Sequence, residues 1–414
     1  MIGTTLSVVV FVLTYAGMAL GRVPGLAIDR TGVALLGLIV LLASGELKLD
    51  DAGRAVDMPT ITLLFALMIV SAQFEHSGFY AWVADRVTHA ASNPKILLGA
   101  LIAVTGVLSA ILTNDVVAFA LTPLVASGLS SRNLDPRPYL IALAGAANAG
   151  SAATLIGNPQ NILIGQAGGL DFWAYFAFAL PPTIVCLAVT YFAILWTWPL
   201  KSVSQPTQAA ASPIDPAPRI DRIQMTKGLL AVAALVLLFL TPLPREHSAL
   251  AVAGVLLLSR RLSSRDMIGA VDWHLLLLFA CLFGITAAFA RTGLSQDGLA
   301  WLAAHGLLPE RLSVLAALTL ISSNTIGNVP AVILVIKLVP DLSDGALAAL
   351  ALLSTFAGNF LLTGSMCNII VAERAASVGS SMTFADFARS GPLMTLTGMV
   401  FTLGWLWATG LVNF

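Results

Sequence analysis

Long apolar stretches of this chain are interrupted at four places by polar residues, glycine and proline. Residues 113–115 (TND) and 157–161 (GNPQN) lie in the first half of the chain, and residues 323–330 (SNTIGNVP) and 363–368 (TGSMCN) lie in the second. A backbone N–H or C=O group left unpaired in hydrocarbon is costly, so such segments must be buried in protein or line a polar cavity. The pattern predicts a helical membrane protein whose four interruptions share one interior region.

The composition supports this class. Of 414 residues, 58% are hydrophobic and only 10% are charged, whereas about a quarter of the residues of a soluble domain are charged. Apolar runs such as 96–112 and 228–240 recur, and alternating strand-like patterns are absent, which argues against a transmembrane barrel. The first apolar segment, 4–21, has no basic region before it, so we expect a membrane helix rather than a cleaved signal.

The two halves of the chain resemble each other. Residues 36–57 are similar to residues 254–272, and the polar interruptions follow in the same order in both halves. A polar stretch rich in proline, alanine and serine separates the halves. We therefore predict a first repeat at 1–200, a linker at 201–225 and a second repeat at 226–414.

Each half is predicted to hold five crossings, the fourth of them broken, and one re-entrant helical hairpin. The crossings are expected at residues 4–21, 31–46, 58–75, 138–165, 173–199, 226–241, 248–260, 271–290, 346–373 and 391–412. The hairpins are expected at 95–130 and 311–340, where an apolar stretch of double length has charged residues only at its ends. Because each half crosses the membrane an odd number of times, the second half is inverted relative to the first. The predicted fold class is therefore an all-α polytopic membrane protein of two inverted repeats.

The basic residues predict an orientation. Most of the 21 lysines and arginines fall on the side of the linker in this topology, and basic residues favour the cytoplasmic side. We expect a multi-pass protein of the cell (inner) membrane with a cytoplasmic linker and both termini extracytoplasmic.

Interrupted segments at matching places in two halves indicate the solute site of a secondary transporter. Half-helix ends carry about half an elementary charge, and the amides and hydroxyls beside them donate and accept hydrogen bonds. The predicted solute-binding residues are Asn114, Asp115, Asn158, Asn161, Ser323, Asn324, Thr325, Asn328, Thr363 and Asn368. The alternative is that these side chains only cap the helix breaks, and we expect capping to explain some of them. Such a site suits a neutral polyhydroxy solute, a small anion or a partly dehydrated cation.

Asp115 is the one acidic residue with apolar sequence on both sides. Its ordinary role would be to cap a half-helix, but a carboxylate inside the membrane is also a candidate functional group. Aligning the TND and SNT triplets places Thr325 opposite Asp115, so one titratable group is predicted to carry a proton. No Lys or Arg is expected at a break, which favours a neutral solute over a dianion.

The sequence predicts a transporter and not an enzyme. No His, Cys and carboxylate spacing suggests a metal site, and no glycine-rich phosphate loop is present, so no catalytic residue, metal, cofactor or nucleic-acid partner is expected. A thiol at Cys367 could meet a metalloid, although packing is the favoured role. An intramembrane enzyme would need a partner for Asp115, and a channel would show no stoichiometric proton counterflow.

Segments 112–125, 147–164, 322–335 and 363–375 resemble the ion transporter superfamily, most closely its arsenite efflux permeases of the ArsB type. The resemblance implies inverted repeats, two re-entrant hairpins and two broken helices around a central site. It also implies export of arsenite or antimonite against proton entry, in some members with a separate soluble ATPase as partner.

Two other branches of the superfamily stay open as alternatives. The sodium-coupled dicarboxylate branch typically carries Ser-Asn-Thr at both hairpin tips, whereas here only residues 323–325 do. The sodium/proton antiporter branch also keeps acidic residues near the breaks. The alternatives are therefore sodium/proton exchange and transport of an inorganic anion or a dicarboxylate.

Overall fold

The computed structural model describes residues 2–20, 27–89, 93–200, 220–339 and 342–410, and all regular structure in these ranges is helical. Most of the predicted linker, residues 201–219, lies outside the described residues. Residues 222–225, which were predicted as its end, already belong to a helix.

The helices of the first half follow the predicted crossings and hairpin. They are α1 (Ile2–Leu20), α2 (Arg30–Ala43), α3 (Leu49–Ala55), α4 (Met58–His76), α5 (Phe79–His89), α6 (Pro94–Ile111), α7 (Asn114–Ser130), α8 (Arg137–Ser151), α9 (Pro159–Ala167) and α10 (Phe172–Thr197). Helices α6 and α7 form the first hairpin, and α8 and α9 form the first broken helix.

The second half repeats this order. Its helices are α11 (Arg222–Leu238), α12 (Arg245–Leu257), α13 (Ser264–Gly269), α14 (Trp273–Ala290), α15 (Leu294–Ala304), α16 (Leu312–Ile326), α17 (Asn328–Leu338), α18 (Asp344–Ala357), α19 (Met366–Ser377), α20 (Phe384–Ala388) and α21 (Gly391–Thr409). Helices α16 and α17 form the second hairpin, and α18 and α19 form the second broken helix, with a 3₁₀ turn (Leu362–Gly364) between them.

The packing of the two halves is related by a two-fold axis. Helix α6 packs against α8 as α16 packs against α18, and α4 packs against α12 as α14 packs against α2. Contacts between halves follow the same rule, because α7 packs against α19 and α17 packs against α9. Exchange of the halves reproduces these contacts, so the chain contains two structural repeats.

The repeats run in opposite directions through the bundle. Helix α4 ends beside the start of the second half, where the Ser77 carbonyl accepts a hydrogen bond of 3.0 Å from the Asp221 N–H. Asp221 also pairs with Arg261, just ahead of α13 and α14, at 3.2 Å. At the opposite side, Arg291 at the end of α14 pairs with Asp51 of α3, just ahead of α4, at 2.9 Å. Equivalent helices α4 and α14 are therefore antiparallel, and the predicted inverted repeat is confirmed.

We call the side marked by Ser77, Asp221 and Arg261 the linker face. The opposite side is marked by the ion pair of Asp51 and Arg291, whose guanidinium group lowers the pKa of the Asp51 carboxyl below its usual value.

Local sequence explains why equivalent helices start and stop at equivalent places. Asp57 caps α4 and Asp272 caps α14, each by accepting a hydrogen bond from a backbone N–H in the first turn. Beyond the ends of these helices, Gly78 and Gly293 adopt positive φ angles of 74° and 79°, which only glycine adopts without strain. These turns lead into α5 and α15, which precede the hairpins.

The hairpins turn back in the middle of the bundle. Helix α6 has 18 residues and is apolar enough to cross a membrane by itself, as are α4, α10 and α14. However, Asn114 directly follows the turn at the end of α6, and its N–H donates to the Gly157 carbonyl at 2.8 Å. Gly157 lies between α8 and α9, part of the way through another crossing, so the hairpin is re-entrant as predicted.

Close contact between α6 and α8 positions the first hairpin. A Cβ atom on Gly150 of α8 would lie 2.3 Å from the backbone oxygen of Gly106 in α6, so no side chain fits there without backbone movement. We predict that Gly150→Ala lowers the free energy of unfolding by about 1–3 kcal/mol, the usual cost of overpacking. Thermal unfolding of the purified protein in detergent measures this.

Gly254→Ala is the matched control, because a Cβ at this helical position meets no atom within 4 Å. Equal unfolding midpoints for the two variants would contradict the proposed contact.

Candidate solute and proton site

The first hairpin tip leaves buried polar atoms without partners. Helix α6 ends at Ile111, because Leu112 and Thr113 adopt extended backbone angles, and α7 begins at Asn114. Thr113 and Asn114 are each only 2% exposed. Among the described residues, no group hydrogen-bonds to the Thr113 hydroxyl oxygen or to the Asn114 side-chain oxygen. Both atoms lack a partner within the protein, and Thr113 also lines the large cavity described below.

The second tip is built differently from the prediction. Helix α16 continues through residues 323–325 to Ile326, and Gly327 makes the turn with φ 97°. Helix α17 begins at Asn328, so Asn328 is the counterpart of Asn114, and Val329 is the counterpart of Asp115. The alignment that paired Thr325 with Asp115 was wrong, because it followed the similar triplets and not the turn. The predicted asymmetry is retained, since only the first tip carries a carboxylate.

The three residues of the SNT triplet point in different directions from the end of α16. Asn324 holds the second break: its side-chain amide donates to the Ala357 carbonyl at 2.9 Å, and its oxygen accepts from the Leu361 N–H at 3.1 Å. Ser323 is buried. Thr325 is exposed and donates only within its own helix, so the structure does not bring it to the centre.

Asn148 of α8 joins the first tip to the second break. Its side-chain oxygen accepts hydrogen bonds from the Asn114 amide at 3.1 Å and the Ser365 hydroxyl at 3.0 Å. Its amide donates to the side-chain oxygens of Asn359 at 2.8 Å and Asn368 at 2.9 Å. Asn148 is fully buried. The sequence-based prediction missed it because it lies within a helix and not at an interruption.

Thr355 of α18 occupies the position equivalent to Asn148, as both lie the same distance before the glycine of GNPQN or GSMCN. Its hydroxyl oxygen accepts from the side-chain amides of Asn158 and Gln160, each at 3.2 Å, and donates to the Asn161 side-chain oxygen at 3.3 Å. Asn148 of the first repeat thus hydrogen-bonds to the second break, and Thr355 of the second repeat hydrogen-bonds to the first break.

Several predicted solute ligands bond to the protein itself in this conformation. Asn158 caps α9 by accepting from the Asn161 N–H at 2.8 Å, and the Asn161 amide donates to the Thr154 carbonyl at 3.0 Å. The Asn368 amide donates to the Gly358 carbonyl at 2.8 Å. These three asparagines stabilise the breaks, as the capping alternative predicted. Thr363 is half-buried on the 3₁₀ turn.

A cavity of about 580 Å³ runs from the linker face to Asp115. Thr113, Asp115 and Pro159 line its inner part, and Glu75 and residues 269–275 line its outer part, where α4 ends and α14 begins. The inner end therefore meets the first turns of two half-helices, α7 and α9. A solute that enters from the linker face reaches the first hairpin tip.

The cavity is acidic. Glu75, Asp115 and Asp272 supply three carboxylates, His274 is the one other titratable lining residue, and no Lys or Arg is among the residues that line it. Asp115 is 8% exposed. No hydrogen bond or ion pair joins its carboxylate to another described residue, and Asp272 acts on it by charge repulsion. Such a group can take up and release a proton without breaking a structural bond.

The prediction that no Lys or Arg lies at a break was wrong for the second tip. Arg30, at the start of α2, is 8% exposed and lines a separate cavity of about 20 Å³ together with Gly327 and Asn328. The sequence places Arg30 after a connection between crossings, and the fold brings it to the hairpin of the other repeat. Of these two features, only the acidic cavity therefore favours a neutral solute.

The Cys367 thiol lies beside the first hairpin tip. It is fully buried and points to the Asn114 carbonyl at 3.9 Å. The other two cysteines, Cys186 and Cys281, lie on α10 and α14. Cys367 thus packs at the first tip, in agreement with its favoured role.

Inverted repeats, re-entrant hairpins and paired helix breaks around a polar centre define a membrane transporter of the ion transporter superfamily. The model of the CitMHS family, described as citrate transporter, matches residues 9–357. The chain belongs to this family, and the predicted superfamily is confirmed.

Several similar proteins are named as transporters. An uncharacterized transporter of Mycobacterium tuberculosis, MT2759, is 28% identical, with 97% of this chain and 98% of that protein covered. The silicon efflux transporter LSI3 of Oryza sativa is 26% identical, with 85% and 86% covered. A protein of Dictyostelium discoideum with the name arsB is 24% identical, with 90% and 86% covered.

A solved structure shows the same fold. MtrF of Neisseria gonorrhoeae, described as one of a class of antimetabolite efflux pumps, aligns with a TM-score of 0.58 at 16% identity, covering 99% of this chain and 94% of that one.

Proposed function

We propose that this protein exports arsenite or antimonite in exchange for protons. The observation that carries the proposal is the Asp115 carboxylate, which lies without a bonding partner among the lining residues of an acidic cavity. The carboxylate supplies one exchangeable proton, and the unpaired hydroxyl of Thr113, which lines the same cavity, accepts a hydrogen bond from a hydroxyl group of the solute.

The charge of the cavity favours an uncharged solute. Three carboxylates with no lining Lys or Arg repel a di- or tri-anion such as citrate, because like charges in a site of low dielectric constant repel strongly. Arsenous acid is a neutral trihydroxy acid at neutral pH, and silicic acid is similarly neutral and polyhydroxylated. The names of the silicon efflux and arsB relatives therefore agree with this solute class.

The proposed transport cycle takes the linker face to be cytoplasmic, as the basic residues predict. Neutral arsenous acid enters the cavity from the cytoplasm and donates hydrogen bonds at the first tip. After the site opens to the other side, release of the solute and protonation of Asp115 prepare the return step, which delivers the proton to the cytoplasm. Both termini are then extracytoplasmic, and a soluble ATPase partner would bind the linker face.

Growth of a bacterial strain that lacks its own arsenite exporters tests the proposal. Expression of this protein is expected to restore growth on arsenite and on antimonite, equally in media with and without sodium. Radiolabelled citrate uptake by the same cells is expected to equal that of cells with an empty vector. Unrestored growth together with citrate uptake would contradict the proposal.

The acidic cavity also favours a second function, sodium/proton exchange, because three carboxylates attract a cation. Fluorescence of a pH dye in everted vesicles separates the two functions. A sodium pulse that dissipates the pH gradient, with no response to arsenite, would support exchange of sodium and exclude the arsenite proposal.

A further inference from the structure

A small cavity beside the second hairpin tip is lined by one basic residue and by no acidic residue. Its volume is about 20 Å³, and its lining includes Arg30, residues 327–330 of the second tip, and Met366. It borders α14 through Leu275, which also lines the large acidic cavity. The two cavities are neighbours of opposite charge.

Two half-helices begin at this small cavity, α17 at Asn328 and α19 at Met366. Neither start has a side-chain cap, and the Asn328 side chain satisfies only the Val329 N–H. The α19 start therefore presents its first backbone N–H groups, and the α17 start presents the Asn328 N–H, because Pro330 has none. Each start carries about half a positive charge. The Ser365 hydroxyl, which could have capped α19, bonds to Asn148 instead.

The Arg30 side chain adds a full positive charge to these two helix starts. It is 8% exposed, and no ion pair or hydrogen bond joins its guanidinium group to an acidic side chain in the described part of the chain. The neighbouring Asp29 carboxylate caps α2 by accepting from the Gly32 N–H at 2.8 Å. Glu373 acts on Arg30 through charge, but it is exposed and lies beyond ion-pair distance.

A buried guanidinium group beside two positive helix ends is unstable unless a negative charge neutralises it. We infer that the cavity binds one small inorganic anion of the size of chloride, held by Arg30, by the Asn328 N–H and by the N–H groups at the start of α19. A cavity of about 10–15 Å³ admits one water-sized particle, so this site admits a halide and excludes citrate and arsenite.

The anion makes the two tips electrostatically alike. At the first tip the chain supplies its own negative charge, Asp115, in the first turn of α7. At the second tip the equivalent residue is the apolar Val329, and the negative charge comes from solution. The bound anion also joins α2 of the first repeat to the hairpin of the second repeat. This role does not depend on which solute is transported.

Halide titration of the purified protein in lipid nanodiscs tests the inference. With gluconate, which is too large for the cavity, as the starting anion, chloride and bromide are expected to raise the thermal unfolding midpoint in a saturable way, because ligands that bind the native state stabilise it. In Arg30→Gln the half-saturating chloride concentration is expected to rise by about tenfold or more, the equivalent of about 1.4 kcal/mol. Arg30→Lys is expected to retain part of the response.

Arg291→Gln is the matched control, since it removes the same charge from an exposed ion pair. It is expected to respond to chloride as the wild type does. The inference is overturned if the wild-type midpoint is the same in chloride and gluconate, or if all variants respond equally, as for a general salt effect. If Arg30→Gln does not fold, binding of radiolabelled chloride to the wild type, with gluconate unable to compete, decides the question.

Discussion

Asp115→Asn is expected to abolish proton-driven arsenite accumulation in everted membrane vesicles, to the level of vesicles without the protein. Asparagine has nearly the same shape as aspartate but cannot exchange a proton, so the solute site remains while the coupling is lost. The variant is expected to fold, because no described residue bonds to the Asp115 carboxylate and burial of a charge is removed. Arsenite exchange that needs no net proton movement is expected to persist in this variant.

Asp297→Asn serves as the control for this substitution, because Asp297 is exposed on α15, away from the cavity. Its transport rate is expected to match that of the wild type. Accumulation by Asp115→Asn at the wild-type rate would refute the proton-carrying role.

Asn148→Ala is expected to cause the largest loss of stability. The substitution removes four side-chain hydrogen bonds that join the first tip to the second break. It leaves the buried Asn114 amide and the oxygens of Asn359 and Asn368 without this partner. Each buried polar group without a partner costs about 1–3 kcal/mol. With partial re-pairing we expect a total loss of about 3–5 kcal/mol, the range of the most damaging single substitutions.

Thr355→Val gives an internal comparison, since it removes the equivalent hydroxyl from the other repeat with little change of shape. It is expected to destabilise the protein less, because amides at the first break keep bonds to Ser151 and Thr154. Thermal unfolding with a chloride-saturated buffer measures both variants. An Asn148→Ala midpoint equal to that of the wild type would show that the network does not hold the tips and breaks together.

The crossings and hairpins could be predicted from the sequence because membrane depth sets the length of an apolar run. For example, the hairpin expected at 95–130 is α6 and α7, which together cover Pro94 to Ser130. The short helices α3, α5, α13, α15 and α20 were not predicted. These helices of 5–11 residues are too short to give a crossing signal, and tertiary packing supports them.

The site could be predicted only where polarity coincided with a break. Asn114 and Asp115 were found because they interrupt apolar sequence. Asn148 and Thr355 were missed because each is a single polar residue within a helix, although the need for a buried amide to be bonded could have drawn attention to Asn148. The position of Arg30 beside the second tip could not be predicted from the sequence. It arises from contacts between the two repeats, and no local sequence pattern indicates such contacts.

Proteoliposomes with an imposed pH gradient test the central claim most directly. The protein is reconstituted without sodium, and radiolabelled arsenite and internal pH are followed together. Our account predicts arsenite accumulation in acid-loaded liposomes, with proton efflux in a fixed ratio to arsenite entry, and neither flux in Asp115→Asn. Arsenite entry that only equilibrates and moves no protons would contradict the account.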